Sequence, residues 1–221
     1  MSKKVVKKSS WKKIAVATAA VVLVTGGVAV VKRVIDPTEK VIEVFDEDTF
    51  RIENKQKIRL YGIDAPEISY CYGEESKVAL EKKILGKRVV LKNPKVDYYG
   101  RVQAYVYLNG EFINEYLIKN GFAFDHGSGD SESEIIKVAN AYAKENKLGI
   151  YAKTCSPTGP PKNECNIKAQ VSYHDGSKTF SIPGCINYTK TLVERFRGED
   201  WFCKEEDAKK AGFTKSSNCR N

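Results

Sequence analysis

Eighteen consecutive residues without a charge, Ile14 to Val31, set the first limit on how this chain can fold. Lys12 and Lys13 precede the run, and Lys32 and Arg33 follow it. As a helix it would span roughly 27 Å, close to the ~30 Å hydrocarbon core of a bilayer. A buried core helix is rarely bracketed by lysines at both ends. Six lysines before the run and two basic residues after it predict a cytoplasmic N-terminus, with the remainder outside. Small residues near Gly27 and Ala29 leave signal-peptidase cleavage open, but the run exceeds an ordinary signal h-region and ends in charges. Residues 1–37 are therefore read as a basic stub and an uncleaved signal anchor spanning about 14–31. The folded part must come from residues 38–221.

The same segment dominates the charge. Of the net +9, residues 1–33 hold eight Lys or Arg and no acid, leaving 29 basic against 28 acidic residues beyond them. The excess reports on topology before it reports on nucleic acid, so contact with a polyanion has to come from a local groove. With 42% hydrophobic and 10% aromatic residues the chain can bury a core.

Beyond Pro37 the pattern alternates as strands do. Lys40–Phe45, Thr49–Glu53 and Lys57–Ile63 are predicted strands, with the acidic turn Asp46-Glu47-Asp48 between the first two. Pro66 stops the third, because it has no N–H for the ladder. Glu74–Leu85 has the spacing of an amphipathic helix closed by Gly86. Arg88–Lys92 and Val102–Leu108 are the next strands, the latter ended by the Asn109-Gly110 turn. Ile113–Asn120 and Glu132–Asn146 are predicted helices. The fold class expected is α+β, mainly β: a five-stranded OB-type barrel with three helices over residues 38–154. Spacing alone leaves a sandwich equally open.

Within this domain the residues from Phe45 to Glu67 gather Asp48, Asp64 and Glu67 with Arg59, and Arg101 follows in the turn DYYGR. Two hard oxygen ligands, a third carboxylate able to act as base and two guanidiniums are what calcium-assisted phosphodiester hydrolysis needs. Calcium takes several oxygen ligands at about 2.3–2.6 Å, and acts as Lewis acid and template. Arginine forks two N–H donors onto phosphate oxygens and keeps its charge. Singly, each residue has a plainer role: Asp46 as a turn cap, Arg59 paired across a strand with Glu53 or Glu43, Arg101 as the residue after a glycine turn. An ordered, complete set is harder to explain that way. Strict strand alternation would put Arg59 and Asp64 on opposite faces, so a bend at Gly62 is required to bring them together.

In order, VFDEDTF, KIRLYGIDAPE, YGEESK, DYYGRVQAYVY, GEFINEYLIKNGFA and AKENKLGIY resemble the staphylococcal nuclease family over about residues 40–152. That resemblance implies the barrel fold and a calcium-dependent endonuclease of DNA and RNA, leaving 3′-phosphate and 5′-hydroxyl ends. It implies Asp48, Asp64 and the backbone carbonyl of Ala65 as Ca2+ ligands, and Glu67 as general base. Arg59 and Arg101 match the phosphate-binding arginines, Tyr99 matches a tyrosine beside the substrate phosphate, and Asp46 sits beside the metal. No small-molecule cofactor is implied. Two departures stand out. The family turn usually reads Asp-Gly-Asp, so Glu47 would be strained if that position needs positive φ. The loop after Glu67 and the stretch Asp125–Ser131 are short, and His126 or Tyr98 is the candidate for the missing base-stacking aromatic. The alternative class is a non-catalytic barrel that binds single-stranded nucleic acid or protein at the cell surface, which would be expected to lose Glu67 or an arginine.

Residues 155–163 form a Pro/Gly linker, and 164–221 a small cysteine-rich module with a predicted helix over Lys204–Ala211. Fewer than 60 residues make a marginal core, so staples are expected. Five of the six cysteines lie at or after Cys155, with no CxxC pair and only two histidines in the chain. Disulfides fit an exported chain better than zinc. Cys71 could tether the module through Cys155 or remain free, and Trp201, Phe202 and Phe213 are read as core.

Overall fold

The computed structural model describes residues 38–127 and 129–219. The predicted anchor at 14–31 lies outside them. Among the described residues, no helix is long and apolar enough to cross a membrane.

Five strands close on themselves: β1 (Thr38–Val44), β2 (Thr49–Ile52), β3 (Lys57–Leu60), β5 (Arg88–Val96) and β6 (Val102–Leu108). Consecutive pairs are antiparallel, β5 returns to β1, and a parallel pairing of β3 with β6 seals the ring. The barrel reading therefore holds over the sandwich. Alternation explains most of the core: β2 buries Phe50 and Ile52, and β3 buries Ile58 and Leu60. Strand β1 breaks the period by burying Val41 and Val44, three apart, and a register shift between Val41 and Glu43 absorbs the extra residue. Strand β5 runs on past Lys92 to Val96. Pro94 is tolerated there because the ladder with β6 is interrupted between Lys92 and Lys95.

Helices α1 (Gly73–Ile84), α2 (Ile113–Lys119) and α3 (Ser133–Glu145) pack on the barrel, each within about a residue or two of its predicted bounds. Helix α1 carries Glu74 and Glu75 in its first turn and Lys82 and Lys83 in its last, matching its dipole. Helix α2 is pinned by Asn114, which is fully buried. Its amide accepts from the Val106 N–H at 3.1 Å and donates to the Tyr61 carbonyl at 2.8 Å. A two-residue strand β4 (Ile63–Asp64), not anticipated from the pattern, pairs with β8 (Phe124–Asp125); β7 (Glu111–Phe112) extends the barrel sheet beside β6.

The C-terminal module has its own sheet, in the order β11 (Asp200–Phe202), β9 (Ile167–Val171), β10 (Lys178–Ser181), β12 (Thr214–Lys215), with α4 (Glu205–Lys210) beside it. Ile167, Ala169, Phe180, Ala208 and Phe213 are its core. Disulfides Cys165–Cys203 and Cys185–Cys219 staple it, and Cys71–Cys155 joins residues on either side of α1 through α3. The module rests on the barrel's helical side. Phe196 is buried against Ile150 and Tyr151, and the Arg195 N–H donates to the Cys155 carbonyl at 2.8 Å.

Candidate active site

The acidic turn joins β1 to β2, an antiparallel pair with Val44 opposite Phe50, and the next hairpin, β2 with β3, sets Thr49 opposite Arg59. Asp46 caps the turn by accepting the Asp48 N–H at 3.2 Å, and the Asp48 carbonyl accepts from Leu60 at 2.8 Å. Glu47 is absent from the residues with positive φ, so glutamate sits there without the strain expected of it. Asp48 is 4% exposed, and its carboxylate accepts from the Thr49 hydroxyl at 2.9 Å and from Arg59 Nη1.

Past Leu60 the chain turns at Tyr61-Gly62, where Gly62 has φ +77°, a conformation that favours glycine. That bend turns Asp64 toward the face Arg59 occupies. Arg59 Nη2 then donates to Asp64 Oδ1 at 2.5 Å, so one guanidinium bridges both aspartates. The other oxygen of Asp64 lies 2.7 Å from His126 Nδ1, and the His126 N–H donates to the Gly62 carbonyl at 3.2 Å. His126 is thus a hydrogen-bond partner of Asp64, a role its position in the sequence did not signal.

The electrostatics follow from burial against pairing. For Glu47, burial combined with the nearby charges of Asp46 and Glu67 pushes the carboxyl up to about 7, and its Oε2 has no hydrogen-bond partner. Burial likewise drives Asp48 up against the pull of Arg59. Burial acts to raise Asp64 too, but the hydrogen bond from His126 and the charge of Arg59 prevail, and its net shift is downward. His126 is raised, chiefly by its bond to Asp64.

Asp46, Glu47, Asp48, Arg59 and Asp64 line a cleft of about 340 Å3, together with Ala65 and the exposed Glu67. The C-terminal module adds Phe196 and Arg197 to this lining, and Tyr70 completes it. A Cβ on Gly198 would come within 2.5 Å of the Tyr70 ring, and its φ of +77° also favours glycine. Arg197 presents no free charge. Its guanidinium bonds Glu199 at 3.2 Å and the Val171 carbonyl at 2.8 Å and lies over the Tyr173 ring. Nothing in the chain order points to this part of the lining, since it arises from tertiary docking more than 120 residues downstream of Tyr70.

Arg101 and Tyr99 are not brought into the cleft. They lie on the turn between β5 and β6, where Arg101 Nε donates to Asp97 Oδ2 at 2.7 Å and its guanidinium sits 5.3 Å from the Tyr99 ring centroid. Tyr98 stands beside them, 95% exposed.

The donor set fits a hard divalent cation. Buried carboxylates outnumber the arginine that neutralises them, and one buried oxygen, Glu47 Oε2, is unpartnered. Among the described residues no three His, Cys, Asp or Glu side chains converge as a preformed cage; Arg59 lies between Asp48 and Asp64.

Fold and cleft together place the chain among OB-type barrels with an acidic, arginine-clamped mouth, suited to a cation and an anionic ester. Within that class, residues 57–153 match the family described as staphylococcal nuclease homologue. A probable staphylococcal-like nuclease of Oryza sativa subsp. japonica is 38% identical over 113 residues, covering 51% of this chain and 30% of its own length. A staphylococcal-like nuclease of Arabidopsis thaliana is 34% identical over 103 residues, 47% of this chain and 32% of its own length. An uncharacterized endonuclease of Escherichia coli is 29% identical over 117 residues, 51% of this chain and 76% of its own length. The chain spans about a third of the two plant relatives. The family match stops at Lys153, so the module that supplies Phe196 and Arg197 lies beyond it.

Proposed function

We propose that the protein is a Ca2+-dependent endonuclease that works outside the cytoplasm. It hydrolyses phosphodiester bonds of DNA, RNA or both to 3′-phosphate and 5′-hydroxyl ends. The observation that carries this reading is the Arg59 guanidinium bridging Asp48 and Asp64 in the cleft that Glu67 borders. A bound Ca2+, held by Asp48, Asp64 and the Ala65 carbonyl, would supply Lewis-acid polarisation of the phosphate. Arg59 is positioned to hand N–H donors from the aspartates to a phosphate oxygen as the substrate enters, and these become strongest as charge gathers there. Glu67, exposed at the cleft mouth, takes a proton from the attacking water. Arg101 and Tyr99 contribute to substrate binding only if the Arg101–Asp97 pair opens, so their contribution is smaller than that of Arg59.

Placement outside the cytoplasm is supported by three disulfides, which persist in oxidising compartments, and by the lysine-bracketed apolar run that would hold the N-terminus in the membrane. The test of the activity is cleavage of a labelled oligonucleotide by the full chain with Ca2+ and with chelator, followed by end-group analysis. Cleavage only with Ca2+, leaving 3′-phosphates, is expected. Full activity in chelator, or 5′-phosphate ends, would refute the reading. External protease acting on intact cells tests the placement: the domain should be digested, and protection would refute it.

A further inference from the structure

We propose that a second nucleic-acid site lies in the groove between the end of α3 and the C-terminal module. It would hold the single-stranded flank of the polynucleotide being cut. The proposal rests on the nuclease reading for the identity of the polymer, and on separate geometry for the site.

The groove adjoins the cleft by way of a recess, lined also by Asp125, that shares residues with each. Phe124 and Phe196 line both the cleft and an adjoining recess of about 230 Å3. Lys144, Tyr151 and Glu194 line both that recess and a groove of about 520 Å3. The groove has an apolar floor, Tyr151, Pro157 and Leu192, with Leu192 left 70% exposed. Its rim carries three exposed lysines, Lys144, Lys147 and Lys153. Among the described residues, none of the three is ion-paired. The one acid on the groove, Glu194, is already engaged by the Tyr173 hydroxyl at 2.6 Å and by Arg197 at 3.6 Å.

Beyond residue 33 basic and acidic residues nearly balance, so three ammonium groups without an acid partner around one groove are a local concentration of charge. Cations that track a backbone, combined with apolar surface on which bases rest, are the pattern that binds single strands without reading sequence. An acidic peptide would satisfy the lysines but would have no reason to continue into the carboxylate cleft; a strand whose next phosphate is the scissile one does. The module thereby acquires a role, because with the barrel it builds a groove that neither could form alone.

The test is binding of a fluorescent 20-nucleotide single strand to the full chain in chelator, where nothing is cut. It compares wild type, the triple variant Lys144→Glu/Lys147→Glu/Lys153→Glu and Leu192→Ala. The triple variant should bind at least about tenfold more weakly, and its salt slope (log K against log salt) should be smaller by about 2. Leu192→Ala should weaken binding severalfold without changing the slope. With Ca2+, the triple variant should raise KM on the 20-mer and leave cleavage of a dinucleotide, too short to reach the groove, within about twofold of wild type. Unchanged affinity and slope in the triple variant, no binding by wild type, or an equal loss on dinucleotide and 20-mer would each overturn the proposal. If wild type binds as described yet cuts neither substrate, the nuclease reading fails and the groove stands.

Discussion

The barrel and the C-terminal module solve the same problem by different means. The barrel closes five strands into a ring and buries Phe50, Ile58, Leu60, Tyr105 and their neighbours, with no disulfide between two of its strands. The module offers a core of only five buried residues and binds its ends with two disulfides. A ring with no free edge and a large apolar interior holds a precise cleft without covalent help. A domain of this size must instead restrict its unfolded chain. Asp48, Arg59, Asp64 and Glu67 sit on the first kind of structure, and the second contributes Phe196 and Arg197 to the same cleft.

Several outcomes would break or sharpen that contrast. Replacing Cys165 and Cys203 with serine should destabilise the module by about 2–5 kcal/mol while leaving the barrel's own transition in place. A calorimetric scan should therefore show a separate, earlier module transition. One unshifted transition would mean that the module does not depend on its staples. Asn114→Ala should cost the barrel on the order of 1–3 kcal/mol, because it strands the Val106 N–H and the Tyr61 carbonyl in the interior; a change in melting midpoint below about 1 °C would contradict this.

The third outcome concerns pH, and its sign follows from Glu47. Its folded-state pKa of about 7 lies above the ordinary 4.5, so the folded protein retains a proton that the unfolded chain has lost across that window. The stability Glu47 contributes is complete below about pH 4.5 and is lost as pH rises to about 7. In chelator, Glu47→Gln should therefore match wild type near pH 4 and be more stable than it at pH 8, by about 1–3 kcal/mol. Equal stability at pH 8 would show that the carboxylate is not held against its burial. Smallest of all, Arg101→Ala should change stability by less than about 1 kcal/mol, since its pair with Asp97 is half exposed to solvent. A larger loss would make that turn a structural element of the barrel.

How much of this could be read from the chain alone depended on the range of the interactions involved. Strand alternation and helix caps are local, so the barrel strands and α1–α3 fell close to their expected places. The meeting of Asp48, Arg59 and Asp64 was legible as well, because a hairpin register and one glycine bend within twenty residues determine it. Long-range pairings were not. The β4–β8 pair that seats His126 on Asp64 has no periodicity to announce it in two-residue strands. Asn114 looks like any polar residue on a helix until both its partners are seen. The lining supplied by Phe196 and Arg197 depends on how one folded unit rests on another, and only Cys71, close to Tyr70, hinted at such a link. Arg101 differs again: its residue type suggested the cleft, and in the folded chain it is bonded to Asp97 on the β5–β6 turn.

Glu67→Gln, assayed for single-turnover cleavage of an oligonucleotide with Ca2+ at saturating enzyme, probes the cleft most directly. The side chain is exposed, so the fold should be intact. The cleavage rate should fall by about 10²–10⁴ with binding of the strand preserved. Cleavage at the wild-type rate by a folded variant would contradict the assignment of this cleft as the place where the phosphodiester is broken.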